Sequence, residues 1–201
     1  LQCTVYNDET VNHYDYDPAK ANEILESVGC TMGESGYYER NGEEIGFVIS
    51  VMAGEQDRID IAQAAAQQLR DVGIHCTVDI PAKMAWGGQQ ACLIGWGSPF
   101  DADDHTYKVF GTDKGANYSG YSNAEVDEAL TKARESSDPA VRKQYYDEFQ
   151  VALANDPAYA FICYIDANYV ATSRLHGIDA ETVMGHHGVG IFWNVETWTL
   201  D

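Results

Sequence analysis

The sequence predicts an α/β fold, a mixed β-sheet flanked by helices, and three observations predict it. Residues 45–80 read as strand, helix, strand with short connections, the pattern of two parallel strands joined by a right-handed crossover. A glycine-bounded apolar run, Ala91–Trp96, adds a further buried strand. Two amphipathic stretches, opening at Ser122 and at Asp138-Pro139, carry helix-start signals. The chain has 201 residues, 45% of them hydrophobic, enough for the core of one large domain or one lobe. Residues 1–201 are read as a single α/β lobe.

In chain order, Leu1–Tyr16 shows little periodicity and reads as an entry segment. Asp17-Pro18 is a helix start, with Asp as N-cap and Pro in the first turn. Ala21, Ile24, Leu25 and Val28 form that helix's apolar stripe, and Gly29 ends it. Cys30–Gly46 is rich in turn residues, and Asn41-Gly42 favours a tight turn. Ile45–Met52 alternates as a strand, with Phe47, Ile49 and Val51 on one face. Arg58–Val72 is a helix with a stripe of Ile59, Ala62, Ala66, Leu69 and Val72, stopped by Gly73. Ile74–Ile80 alternates cleanly as the second strand. Pro81–Gln90 leaves room for a turn or two of helix at most before the strand Ala91–Trp96.

Ser122-Asn-Ala-Glu125 reads as a capping box for a helix burying Val126, Ala129, Leu130 and Ala133. Asp138-Pro139 opens another, to about Ala154, with Val141, Tyr145, Phe149, Ala152 and Leu153 inward. Asp156-Pro157 breaks it; Tyr159–Val170 reads as a long strand and Ile191–Leu200 as a last one.

The net charge is −20, from 32 acidic against 12 basic residues. Such a surface repels phosphate backbones and anionic headgroups, which argues against nucleic acid as a partner. No apolar run approaches the ~18–20 residues of a membrane span. No signal peptide and no initiator Met stand before Leu1, as expected of either a processed chain or an excised piece of a longer protein. The five cysteines form no CxxC and no zinc-like spacing. Cys76, Cys92 and Cys163 lie in strand-like runs as small buried apolar residues, whereas Cys3 and Cys30 could form a bridge.

Candidate functional chemistry concentrates between Ala91 and Tyr121. Polar groups beyond the carboxyl end of a strand lie where open α/β sheets bind ligands. Trp96, flanked by Gly95 and Gly97, is a candidate ligand wall, with core packing as the alternative. The Met52-Ala53-Gly54 loop follows another strand end. Asp101, Asp103, Asp104 and His105 invite a calcium reading, but a helix-capping acidic loop fits them better, because no glycine stands where an EF-hand needs one. His186-His187 is a poor chelate, since adjacent side chains diverge. Asn117, Tyr118 and Tyr121 read as turn and packing residues. No GxSxG, HExxH or P-loop motif occurs, so no enzyme activity, cofactor or metal is expected.

Four segments occur together in order: Asp17–Gly29 (DPAKANEILESVG), Gln67–Ile80 (QQLRDVGIHCTVDI), Gly95–Asp104 (GWGSPFDADD) and Asn117–Phe161, which opens NYSGYSNAEVDEAL. Together they resemble the family 5 extracellular solute-binding proteins of ABC importers, the dipeptide, oligopeptide and nickel-binding group. The resemblance covers nearly the whole chain but only the second lobe and C-terminal part of a member. It implies a periplasmic-binding-protein-like lobe of type II and a binding rather than catalytic function. It also implies partners: a peptide or other small solute, a first lobe of the same protein, and ABC permease subunits, with contact to a membrane only through a lipid anchor elsewhere. The location implied is extracellular, cell-surface or periplasmic. The implied ligand-binding residues are Met52, Ala53, Gly54, Trp96, Gly97, Ser98 and Asp101.

Two features depart from the family pattern. Pro81–Gln90 is too short for the helix that members usually carry there. Peptide-binding relatives place an Asp three residues after the Trp to hold the ligand's amine; here that position is Pro99, and the nearest acid is Asp101. A rival reading from another class is a stand-alone acidic metal-binding or adhesive surface domain on the same lobe.

Overall fold

The structure, a computed structural model, describes residues 7–97, 101–164, 169–178 and 190–201. The chain divides into two compact units, Tyr14–Gly95 and Leu1–His13 with Trp96–Asp201.

The first unit opens on α1 (Pro18–Ser27), capped by the Asp17 carboxylate, which accepts from the Lys20 N–H at 2.9 Å. Gly29, at φ +86°, takes the left-handed conformation that ends it. The expected inward stripe is only half realised. Ala21 and Leu25 are half-buried, whereas Ile24 and Val28 are exposed. Periodicity says which residues share a face, not whether another element covers it.

Three short strands follow: β1 (Thr31–Met32), β2 (Tyr38–Arg40) and β3 (Glu43–Glu44), antiparallel in the order β1-β2-β3. Asn41 and Gly42, both at positive φ, form the tight turn joining β2 and β3. The sequence reading had the turn but not the sheet around it.

The centre of the unit is a parallel sheet of β4 (Gly46–Ser50), β5 (His75–Asp79) and β6 (Ala91–Cys92), in the order β5-β4-β6. Helix α2 (Gln56–Asp71) connects β4 to β5, so the strand-helix-strand reading holds. Gly46 pairs with His75, and a Cβ there would lie 2.5 Å from the His75 carbonyl oxygen. The core joins Ile49, Val51 and Cys76 of the sheet side to Ile59, Ala62 and Ala66 of α2.

The strand expected over Ala91–Trp96 is shorter, because its partner β4 ends at Ser50. Pairing runs Ile49 to Ala91 and Ser50 to Cys92, and the last bond is Leu93 N–H to the Ser50 carbonyl at 3.1 Å. At the start of β6, on the same edge of β4, the Gln90 side chain stands in for a strand residue, its Oε1 accepting from the Val48 N–H at 2.9 Å. Pro81–Gln90 contains no helix and anchors through buried Met84.

The second unit is built on α3 (Ala102–Phe110), α4 (Ala124–Arg134) and α5 (Pro139–Asn155). Val126, Ala129, Leu130 and Ala133 of α4 are buried as expected, against Phe149, Ala152 and Leu153 of α5. Two details differ. The cap of α4 is Asn123, whose Oδ1 accepts from the Glu125 and Val126 N–H groups, while Ser122 instead accepts from the Thr112 hydroxyl. The deep aromatic of α5 is Tyr146, fully buried, rather than Tyr145, and Val141 is exposed. Stepping by three from Phe149 reaches Tyr146, so one register of the same helix replaces another.

The tail departs most. Among the described residues, none of Tyr159–Val170 is in a strand, and Phe161, Ile162, Tyr164, Tyr169 and Val170 are exposed. A strand needs a hydrogen-bonding neighbour, which an apolar run cannot supply to itself. The last expected strand is instead a kinked 3₁₀ helix, Gly190–Thr197, followed by β8 (Thr199–Leu200) paired with β7 (Leu175–His176). Cys30, Cys76, Cys92 and Cys163 are free thiols, so Cys30 forms no bridge. Cys163 is exposed rather than buried, because its segment is uncovered.

Candidate functional site

In the first unit, the loop Met52–Gly54 follows the carboxyl end of the central strand. The chain stays tied to β5 and its exit: Val51 N–H donates to the Asp79 carbonyl and Ala53 N–H to the Pro81 carbonyl, each at 2.9 Å. Gly54, at φ +93°, turns the loop into α2. Met52 is left exposed beyond buried Val51. At the same carboxyl edge, the Arg58 guanidinium lies against Gly95, where a Cβ would stand 2.9 Å from Nη2, and pairs with Glu55 at 3.3 Å. The sequence reading missed Arg58; its only local signal was a cation in the first turn of a helix leaving a strand end.

In the second unit, Trp96 and Gly97 precede α3, and Ser98 lies outside the described residues, as do Pro99 and His186-His187. Trp96 is 36% exposed. Its ring stacks on Tyr118 (centroids 6.1 Å, planes 12° apart) and tilts against His105 at 5.6 Å. Trp96 is thus neither core nor isolated: it is the centre of a half-exposed aromatic group that could cover a flat or apolar solute. Tyr118, read as a turn residue, belongs to this group.

Asp101 is the N-cap of α3, accepting from the Asp103 N–H at 2.8 Å. Both its oxygens also accept from Arg142, 2.7 Å from Nη2 and 3.1 Å from Nη1. Arg142 reaches on to the buried Tyr146 hydroxyl at 3.4 Å. The Arg142 hydrogen bonds hold the Asp101 carboxyl below its ordinary value, and Asp101 in turn raises the guanidinium. Burial pushes Tyr146 up. Burial also raises the Asp103 carboxyl despite Arg134, whose Nε stands 3.0 Å from Oδ1. Arg134 in addition lies over the Tyr107 ring at 3.9 Å. Asp104 pairs with Lys108 at 3.0 Å.

The helix-capping reading of the acidic run therefore holds, with each carboxylate engaged by a cation. Among the described residues no group of three His, Cys, Asp or Glu side chains is arranged to hold a metal. Asn117 is the knot of its turn: its amide donates to the Gly111 and Tyr121 carbonyls, and its oxygen accepts from Ser119 and the Tyr121 N–H.

Comparison with known proteins decides the family. The family model described as bacterial extracellular solute-binding proteins, family 5 Middle, matches residues 2–118. The chain belongs to this family. Its relatives include Protein XP55 of Streptomyces lividans, 34% identical over 82% of this chain and 32% of that protein. The oligopeptide-binding protein AppA of Bacillus subtilis is 28% identical over 96% of this chain and 36% of its own length. The chain thus spans about a third of these curated relatives. Among solved structures, NikZ of Campylobacter jejuni in complex with Ni(L-His) superposes with a TM-score of 0.86 at 35% identity, covering 99% of this chain and 42% of that one. AppA in complex with a nonapeptide gives 0.74 at 24% identity, covering 98% and 40%.

The fold is accordingly the periplasmic-binding-protein-like α/β type. Family 5 proteins are extracellular solute-binding proteins rather than enzymes. No helix among the described residues is long and apolar enough to cross a membrane.

Proposed function

We propose that this chain is one α/β lobe of the solute-binding component of an ABC importer. It captures a peptide or related small solute against a first lobe, and the closed form docks on permease subunits. The protein acts outside the cytoplasmic membrane, held there by a lipid anchor elsewhere in the two-lobed protein. The observation that carries this reading is the 0.86 TM-score over 99% of the chain to a nickel-chelate-binding protein. The ligand contacts proposed for the first unit are backbone groups of Met52, Ala53 and Gly54; those proposed for the second are the Trp96 ring, Gly97, Ser98 and Asp101 in its pair with Arg142. Capture requires no bond making, so nothing in this role is catalytic.

One observation favours a second, narrower reading of the solute. An Asp that holds a peptide amine must offer its charge to an ammonium. The Asp101 charge is already balanced by its two-point pair with Arg142, and Pro99 stands where peptide-binding relatives have their acid. A solute with no free ammonium fits this better than a dipeptide. A histidine-chelated metal, whose amine is bound to the ion, is one such solute.

Calorimetry on the two-lobed protein tests both, with Ni(L-His), a dipeptide panel and a nonapeptide as titrants. Micromolar binding corresponds to about −8 kcal/mol, and one lobe alone keeps only part of those contacts, so the chain by itself should bind weaker than ~1 mM. Micromolar binding by the chain alone would sink the one-lobe reading. Binding of dipeptides in preference to the chelate would sink the narrower one.

A further inference from the structure

We infer that the groove between α4 and α5 is a docking surface for a basic amphipathic helix of a protein partner. The groove encloses about 480 Å³. Its floor is small and apolar, from Ala129 and Ala152, and Val151 beside them is 43% exposed. Its rim carries Glu125 and Glu128 of α4 and Asp147 and Glu148 of α5.

The two sides of the rim differ in how their charge is met. On α5, Lys143 holds both oxygens of Asp147 at 2.7 and 2.9 Å, and Gln144 donates to Glu148 at 2.9 Å. On α4, Glu125 and Glu128 stand three residues apart on one face. Among the described residues, neither carboxylate has an ion pair or a side-chain hydrogen bond. Like charges at this spacing repel on a helix, so a cation laid between them relieves a standing cost.

The combination selects the occupant. An apolar floor takes an apolar seam, and an unneutralised acidic edge takes flanking Lys or Arg. A metal ion is not served, because no three ligating side chains converge among the described residues. Anionic lipid and nucleic acid are repelled by the same rim. A helix lying along the groove with apolar residues at i, i+4 and i+7 and basic residues beside them satisfies both halves. This surface is built from α4 and α5 and makes no use of Trp96, Asp101 or the Met52 loop.

The test uses this chain and a synthetic helical peptide of about 18 residues, roughly five turns, with a leucine seam flanked by lysines. A twin with glutamate in place of lysine is the charge control. We expect the lysine peptide to bind, and Glu125→Gln/Glu128→Gln to weaken it about tenfold or more, with binding falling as salt rises. Val151→Lys, which leaves the carboxylates in place but fills the floor, should weaken it comparably. The equal charge change at exposed Glu34→Gln/Glu43→Gln should alter the dissociation constant less than about twofold. Unchanged circular dichroism confirms that each variant is folded. Equal losses in the two charge-matched pairs would mean adsorption to the overall acidic surface and would overturn the inference. So would binding of the glutamate twin, or no binding of the lysine peptide at ~1 mM.

Discussion

Asp101 and Asp103 sit two residues apart at the start of α3, yet the structure predicts opposite consequences for removing their charges. Asp101→Asn keeps an N-cap, because Asn caps as well as Asp, but loses the charge that Arg142 grips. The Asp101 side chain is 54% exposed, so solvent screens the pair and the loss is about 1 kcal/mol, the upper range for exposed pairs. Asp101→Ala removes the cap as well and should cost about 1 kcal/mol more. For a chain of this size each such step lowers Tm by about 2–4 °C.

The pH dependence follows from the direction of each shift. The folded Asp101 carboxyl lies below its unfolded value of ~3.9, so its contribution is full above that pH and is lost as pH falls through the lower folded value. The gap between wild type and Asp101→Asn should therefore close in acid. Asp103 has the opposite sign. Burial raises its folded value, so relative stability is present below ~3.9 and is lost as pH rises through the folded value. Asp103→Asn should be neutral or stabilising at pH 7, with the benefit gone in acid. Urea denaturation across pH 2.5–7 measures all three variants. Equal losses for Asn and Ala at Asp101, or an Asn gap that persists in acid, would refute the reasoning.

Asn117→Ala should destabilise the chain by about 2 kcal/mol, since two backbone carbonyls and one backbone N–H lose a partly buried partner. Asn117→Asp keeps only the accepting oxygen and should fall between; thermal melts that show no loss in either would mean the turn is held by other contacts. Gly46→Ala should cost ~1–3 kcal/mol, because its Cβ would meet the His75 carbonyl across a hydrogen-bonded strand pair. Gly95→Ala meets only the end of the Arg58 side chain, which can swing aside, so its loss should be clearly smaller; equal melting temperatures for the two would contradict this.

What the chain's own residues settle is local. Asp17-Pro18 and Asp138-Pro139 start helices, and Asn41-Gly42 makes a tight turn, because each places its donors, acceptors and allowed φ within a few residues. The strand-helix-strand order with short connections likewise implies two parallel strands, since strands running the same way must be joined by a crossover. The family resemblance was legible for the same reason, being carried by contiguous segments.

Tertiary structure decided what depends on distant partners. No local pattern ties Asp101 to Arg142, 41 residues away, and that pairing turns a candidate ligand-holding acid into one already occupied. Trp96 could be core or wall by sequence; only Tyr118 and His105 beside it, with the ring half exposed, show the aromatic group it heads. The early end of β6 follows from where β4 stops, and the Gln90 side chain meets the Val48 N–H only because the fold sets the two segments side by side. Tyr159–Val170 has the composition of a strand, yet none of its described residues is in one: a strand exists only where another backbone lies beside it, and that is a property of the assembled fold rather than of the segment.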